Sequence, residues 1–95
     1  MRDVDQIIQE LKTRHPELVI EQLKVSHPGA DDDGIWFITA PDLPGEIQIE
    51  SWNGQCPFLI ESHFSNKQLN SSTTQDTVAK VEAVIEYGRR KEKQG

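Results

Sequence analysis

Apolar residues along this chain change from helical spacing to strand-like alternation and back again. Val4, Ile7, Ile8 and Leu11 recur at i, i+3, i+4 and i+7, which places them on one helical stripe. Asp3 with Gln6 has the spacing of a capping box, and Pro16 disfavours the α conformation at His15, so the pattern predicts a helix ending near Arg14. Leu18 to Val25 is rich in branched side chains and predicts a first strand; its second half alternates, with Leu23 and Val25 facing away from Gln22 and Lys24. HPGADDDG then reads as an acidic loop. Ile35 to Ala40 and Glu46 to Trp52 predict second and third strands, joined by PDLPG, whose prolines and glycine cannot occupy a central ladder.

Asn53-Gly54 has the composition of a two-residue type I′ turn, which needs positive φ at both positions. Pairing Trp52 with Gln55 across it sets Ser51 opposite Cys56, Ile49 opposite Phe58 and Ile47 opposite Ile60 on one face. The other face then carries Glu50 opposite Pro57, Gln48 opposite Leu59 and Glu46 opposite Glu61. A fourth strand is expected from about Gln55 to Phe64, followed by a polar connector, SNKQLNSSTTQD. Thr73 with Asp76 signals a second helix, along which Val78, Val81, Val84, Ile85 and Gly88 keep helical spacing and whose end carries Arg89, Arg90, Lys91 and Lys93. The expected fold is α+β: a helix, a four-stranded antiparallel meander and a helix, with both helices on the sheet face of Ile47, Ile49, Phe58 and Ile60.

The second strand, IWFIT, has large apolar side chains on both parities, so one pair must face outward whichever pair is buried. A five-residue loop pairing Ala40 with Glu46 points Ile35 and Phe37 inward and Trp36 outward; a four-residue loop reverses this. The first register sets Trp36 diagonal to Trp52 beside Ile38 and Leu59, rimmed by Glu46, Glu50 and Glu61. Those seven residues form the candidate protein-binding site, because aromatic anchors inside a charged rim are the usual anatomy of an interface.

Ninety-five residues fit one domain, 1–95, with residues 88–95 expected as a basic, frayed C-terminal tail. Net charge is −6, and it is uneven: residues 1–66 hold 12 acidic and 4 basic side chains, residues 67–95 hold 4 and 6. An anionic body repels phosphate backbones and anionic lipid, which argues against nucleic acid and membrane surfaces and for a basic protein partner. A single cysteine excludes an internal disulfide, and no signal-peptide core or bilayer-length apolar run is present, so a cytoplasmic location is expected.

Candidate chemistry is sparse. Cys56 and His63 lie seven residues apart, on opposite faces of a regular strand, and Pro57 directly follows the cysteine; a core thiol is the expectation. Asp31-Asp32-Asp33-Gly34 lacks the alternation of a calcium loop, and His15, His27 and His63 share no zinc spacing, so no metal is expected. No cofactor is expected either, since there is no phosphate loop, nucleophile elbow or dinucleotide fingerprint. Glu46 opposite Glu61, with His63 on the same face, is the one arrangement suited to acid/base work, and a small enzyme built on these three is the alternative reading. The principal expectation is a non-catalytic binding module or homodimer using its open sheet face. In element order it is similar to small bacterial immunity proteins and secretion chaperones, a likeness of architecture that no motif accompanies.

Overall fold

The computed structural model describes residues 2–23, 34–52 and 54–94, with side chains as far as Lys91. The elements are α1 (Asp3–Arg14), β1 (Val19–Gln22), β2 (Ile35–Thr39), β3 (Ile47–Glu50), β4 (Phe58–Ser62), β5 (Ser65–Ser71) and α2 (Thr74–Gln94). The strands form one antiparallel sheet in chain order, β1-β2-β3-β4-β5, with both helices against one face. This is the expected α+β arrangement with one strand more than expected.

Val4, Ile7 and Leu11 of α1 and Val78, Val81 and Ile85 of α2 are buried against Trp36, Ile38, Ile47, Ile49, Phe58 and Ile60 of the sheet. The helix start differs from the expected capping box. Arg2 is the N-cap, and the Asp5 carboxylate, three residues on, accepts its backbone N–H at 3.1 Å. The Arg2 guanidinium holds the Asp5 carboxyl below its usual range. Asp3 is thereby released for a long-range bond: its carboxylate accepts the Cys56 N–H at 2.8 Å, while Val4 N–H donates to the Gly54 carbonyl at 2.8 Å. The positive end of α1 thus anchors the connection between β3 and β4.

That anchoring explains the largest register error. The observed pairs are Ile47↔Ser62, Gln48↔Glu61, Ile49↔Ile60 and Glu50↔Leu59, displaced by two residues from the register of a two-residue turn. Gly54 does take the left-handed conformation, φ 81°, and its N–H donates to Ser51 Oγ at 2.7 Å. However, β3 ends at Glu50 and β4 begins at Phe58, and between them Gly54, Gln55 and Cys56 are bonded to the start of α1. Pro57 has no N–H to give the ladder, so pairing begins at Phe58. A shift of two preserves side-chain parity, so Ile47, Ile49, Phe58 and Ile60 face the helices as expected. Asn53 lies outside the described residues, as do Lys24, Val25, His27 and the Asp31-Asp32-Asp33 run.

The segment expected as a polar connector is β5. After β4 the chain turns at His63-Phe64 and pairs back, with Ser62↔Ser65 and then, after a two-residue register shift, Ile60↔Leu69, Leu59↔Asn70 and Phe58↔Ser71. An edge strand with mostly exposed side chains carries no hydrophobic alternation, which is why the sequence reads as a loop. Ser71 and Thr77 are buried together, their hydroxyls 2.5 Å apart, where β5 hands over to α2. Thr73 caps that helix as expected, its Oγ1 accepting the Asp76 N–H at 3.0 Å.

The basic end of α2 is tied back to the body. Arg89 donates to Asp42 at 2.6 Å and to Glu17, and Lys91 donates to the Phe64 carbonyl at 2.9 Å. Arg14 and His15 at the end of α1 share Glu82 of α2, each at 2.9 Å. These pairs are solvent-accessible, so they orient the helices more than they stabilise them. No helix among the described residues is long and apolar enough to cross a membrane.

Candidate binding face

The connection between β2 and β3 decides which residues face outward. The observed register, Ile35↔Glu50, Trp36↔Ile49, Phe37↔Gln48 and Ile38↔Ile47, is that of the four-residue loop. Trp36, 3% exposed, and Ile38, 0% exposed, therefore belong to the core, and their place in the expected surface patch is corrected. Pro41 and Pro44 flank a turn closed by Leu43 N–H on the Ala40 carbonyl, 3.1 Å, and this compact turn sets the parity. Ile35 and Phe37, expected inside, lie outside and half-buried.

Directly opposed residues share a face, so the pairings lay the outer surface out in rows. One row runs Glu21, Phe37, Gln48, Glu61; the next runs Ile35, Glu50, Leu59, Asn70. Val19 and Thr39 begin a third, which ends at Glu46 and His63, where His63 N–H meets the Glu46 carbonyl at 3.1 Å. Trp52, 85% exposed, stands in the connection beyond the second row. Four glutamates thus surround Ile35, Phe37 and Leu59, and none of these rows holds a lysine or arginine among the described residues. Neighbouring amides fix two of the carboxylates: Gln48 donates to Glu50 at 3.2 Å and Gln68 to Glu61 at 3.1 Å.

Two shallow depressions lie on this surface. One, of about 440 Å³, is floored by Ile35, Leu59 and Pro57 with Glu50, Trp52 and Asn70 around it. The other, of about 620 Å³, lies between Glu21, Gln22, Leu23 and Phe37 at the β1 edge. Of the seven expected site residues, Glu50, Leu59, Glu61 and Trp52 are together around or beside the first, Glu46 is at the opposite end of the face, and Trp36 and Ile38 are beneath it. Ile35, Phe37 and Glu21 were missed; the available signal was the double parity of IWFIT, which guarantees an outward apolar pair but does not say which.

The same geometry separates the candidate acid/base residues. Glu61 pairs with Gln48, not with Glu46, and Glu46 is instead 3.8 Å from an exposed His63. The acids are not opposed, and none of the three cavities lined by Trp52, by Phe37 or by Tyr87 is lined by all three residues.

Cys56 packs half-buried against the core edge. Burial first, and the Asp3 carboxylate second, push its thiol above the ordinary range, which lowers the thiolate fraction at neutral and mildly alkaline pH. Iodoacetamide at pH 8 should therefore alkylate Cys56 more slowly in the folded chain than in the same chain in denaturant, as mass spectrometry can follow. Equal rates would contradict this environment. Among the described residues no cluster of histidine, cysteine or carboxylate side chains could hold a metal ion. Scans of protein-family models, of curated proteins and of solved structures found no match to this chain.

Proposed function

We propose that this protein is a non-catalytic binding module whose outer sheet face docks a basic, amphipathic segment of a partner protein. The observation that carries this reading is the composition of one surface: Ile35, Phe37, Leu59 and a Trp52 that is 85% exposed, set among Glu21, Glu46, Glu50 and Glu61. Apolar side chains supply the desolvated centre of an interface, and the four surrounding glutamates select a cationic partner and accelerate its approach. The first depression suits one large side chain of that partner, with Trp52 as one wall.

A 15N-labelled chain titrated with a basic amphipathic peptide of lysine and leucine tests the charge and the location together. Shifts are expected at Ile35, Phe37, Glu50, Leu59 and the Trp52 indole, with affinity falling as salt rises. Glu50→Lys should weaken binding about tenfold, since reversal of a charge beside a bound cation is worth ~1.4 kcal/mol or more. Shifts confined to the helical side, or affinity unchanged by Glu50→Lys, would refute the reading.

A further inference from the structure

We infer that the free edge of β5 is a second interaction surface, and that its occupant is β5 of a second copy of this chain. This surface is distinct from the outer face and stands whether or not that face binds a basic partner.

β5, Ser65–Ser71, is the longest strand among the described residues; it pairs with β4 on one side only, and its register against β4 shifts by two residues between Leu69 and Ser65. Its sequence, Ser-Asn-Lys-Gln-Leu-Asn-Ser, is nearly palindromic. Antiparallel pairing of two copies about Gln68 sets Ser65 opposite Ser71, Asn66 opposite Asn70, Lys67 opposite Leu69, and Gln68 opposite itself. Cross-strand amide and hydroxyl pairs are compatible, and no like charges stand directly opposed. The two Lys67 side chains fall on the diagonal, free to lay their stems along the facing Leu69. The strand also contains no carboxylate, so two chains of net charge −6 would meet at a segment that does not add to their repulsion.

A second observation points to the same occupant. Between β5 and α2 lies a cleft of about 460 Å³ lined by Ile60, Leu69, Val84 and Tyr87, with Glu61 and Lys67 at its polar side. Tyr87 is 47% exposed, its ring stacked on Phe64 with centroids 6.3 Å apart. The dyad at Gln68 would bring the two clefts side by side on one face of a continuous ten-stranded sheet, joining their apolar parts, Leu69, Val84 and Tyr87, into one seam. Backbone pairing would give the affinity, and the seam would reward the correct register. Lys80 already donates to the Asn70 carbonyl, and that oxygen has a second lone pair for the new strand. Both acidic outer faces would lie on the same side of the dimer, offering a partner two equivalent sites.

Sedimentation velocity on the full chain, from micromolar to submillimolar, should show a dimer that persists at high salt, unlike charge-driven binding at the outer face. Gln68 is exposed, so Gln68→Lys should keep the circular dichroism spectrum while weakening the dimer about tenfold by opposing two lysines on the dyad. In a Cys56→Ser background, Gln68→Cys should form an interchain disulfide on air oxidation, because directly opposed residues have Cα atoms about 4.5–5.5 Å apart. Trp52→Cys, exposed but remote from the edge, is the reference. A monomer at all concentrations overturns the proposal, and so does a dimer in which Gln68→Cys crosslinks no faster than Trp52→Cys.

Discussion

Trp36→Ala is expected to destabilise this protein by about 3–5 kcal/mol, a large part of what a domain of 95 residues has, whereas Trp52→Ala changes stability by less than about 0.5 kcal/mol. The two tryptophans look equivalent in sequence, each in or beside a strand with apolar neighbours. In the fold, Trp36 is 3% exposed, opposite Ile49 and next to the row of Ile38 and Ile47, while Trp52 is 85% exposed. Truncating the first removes its transfer free energy and leaves a cavity on the sheet's helix-facing side, within the buried core that Val4 and Ile7 of α1 share. The Arg2 guanidinium, 5.8 Å from the Trp36 ring centroid, loses its cation–π contact as well, a smaller effect at an exposed site. Urea melts of the two variants decide the matter. Comparable losses would mean that Trp36 does not occupy the core, and the parity assigned to β2 would fall with it.

That parity is also where sequence reading met its limit. The helices, the meander and the buried set Ile47, Ile49, Phe58 and Ile60 were legible because periodicity of 3.6 or 2 survives errors in element ends. The β3–β4 register was not, although Asn53-Gly54 is a strong local signal. Three bonds from outside the hairpin, Val4 to Gly54, Asp3 to Cys56 and Asp3 to Gln55, hold the connection in a longer path. Tertiary capping of α1 outweighed a local turn preference, and nothing near residue 53 reveals that a helix begins beside it. β5 was illegible for the opposite reason: a strand with one neighbour and water around it needs no hydrophobic pattern.

The candidate site was legible in part for the same physical causes. Glu50, Leu59 and Glu61 keep their outward direction because a two-residue slip does not change face. Trp36 and Ile38 were lost from it, and Ile35 and Phe37 gained, because shortening one loop by a residue inverts a whole strand. The chemical character of the surface is unaffected, since IWFIT presents two large apolar groups outward in either register. What changes is the depth of the site, from a tryptophan ridge to the low patch of Ile35, Phe37 and Leu59 beside a single projecting Trp52.

Gly34→Ala is expected to be the second most damaging small change, at or above the roughly 1–3 kcal/mol typical of overpacking, although it adds one methyl group. Gly34 needs no unusual φ; its constraint is contact. A Cβ there would lie 1.7 Å from the Ser51 carbonyl oxygen and 3.0 Å from its carbon, both backbone atoms that cannot rotate away. Relief requires β2 and the end of β3 to separate where Ser51 N–H donates to the Gly34 carbonyl at 2.8 Å. Ser51 also accepts the Gly54 N–H through its hydroxyl, and Gly54 in turn accepts Val4, so displacement is passed through the connection to the start of α1. Trp52 follows Ser51 directly, and Gly34, Ser51 and Trp52 all line the first depression of the outer face. The substitution should therefore lower the denaturant midpoint and shift the Trp52 indole resonance even where the chain remains folded. Gly45→Ala is the matched control: its Cβ would meet His63 Cβ at 3.2 Å and Phe64 Cδ1 at 3.6 Å, contacts far milder than 1.7 Å against a carbonyl oxygen, so a clearly smaller loss, about 1 kcal/mol, is expected. Should Gly34→Ala and Gly45→Ala melt alike with an unmoved Trp52 signal, the close approach of Gly34 to Ser51 would be wrong, and with it the route by which the α1 cap holds Trp52 beside the acidic face.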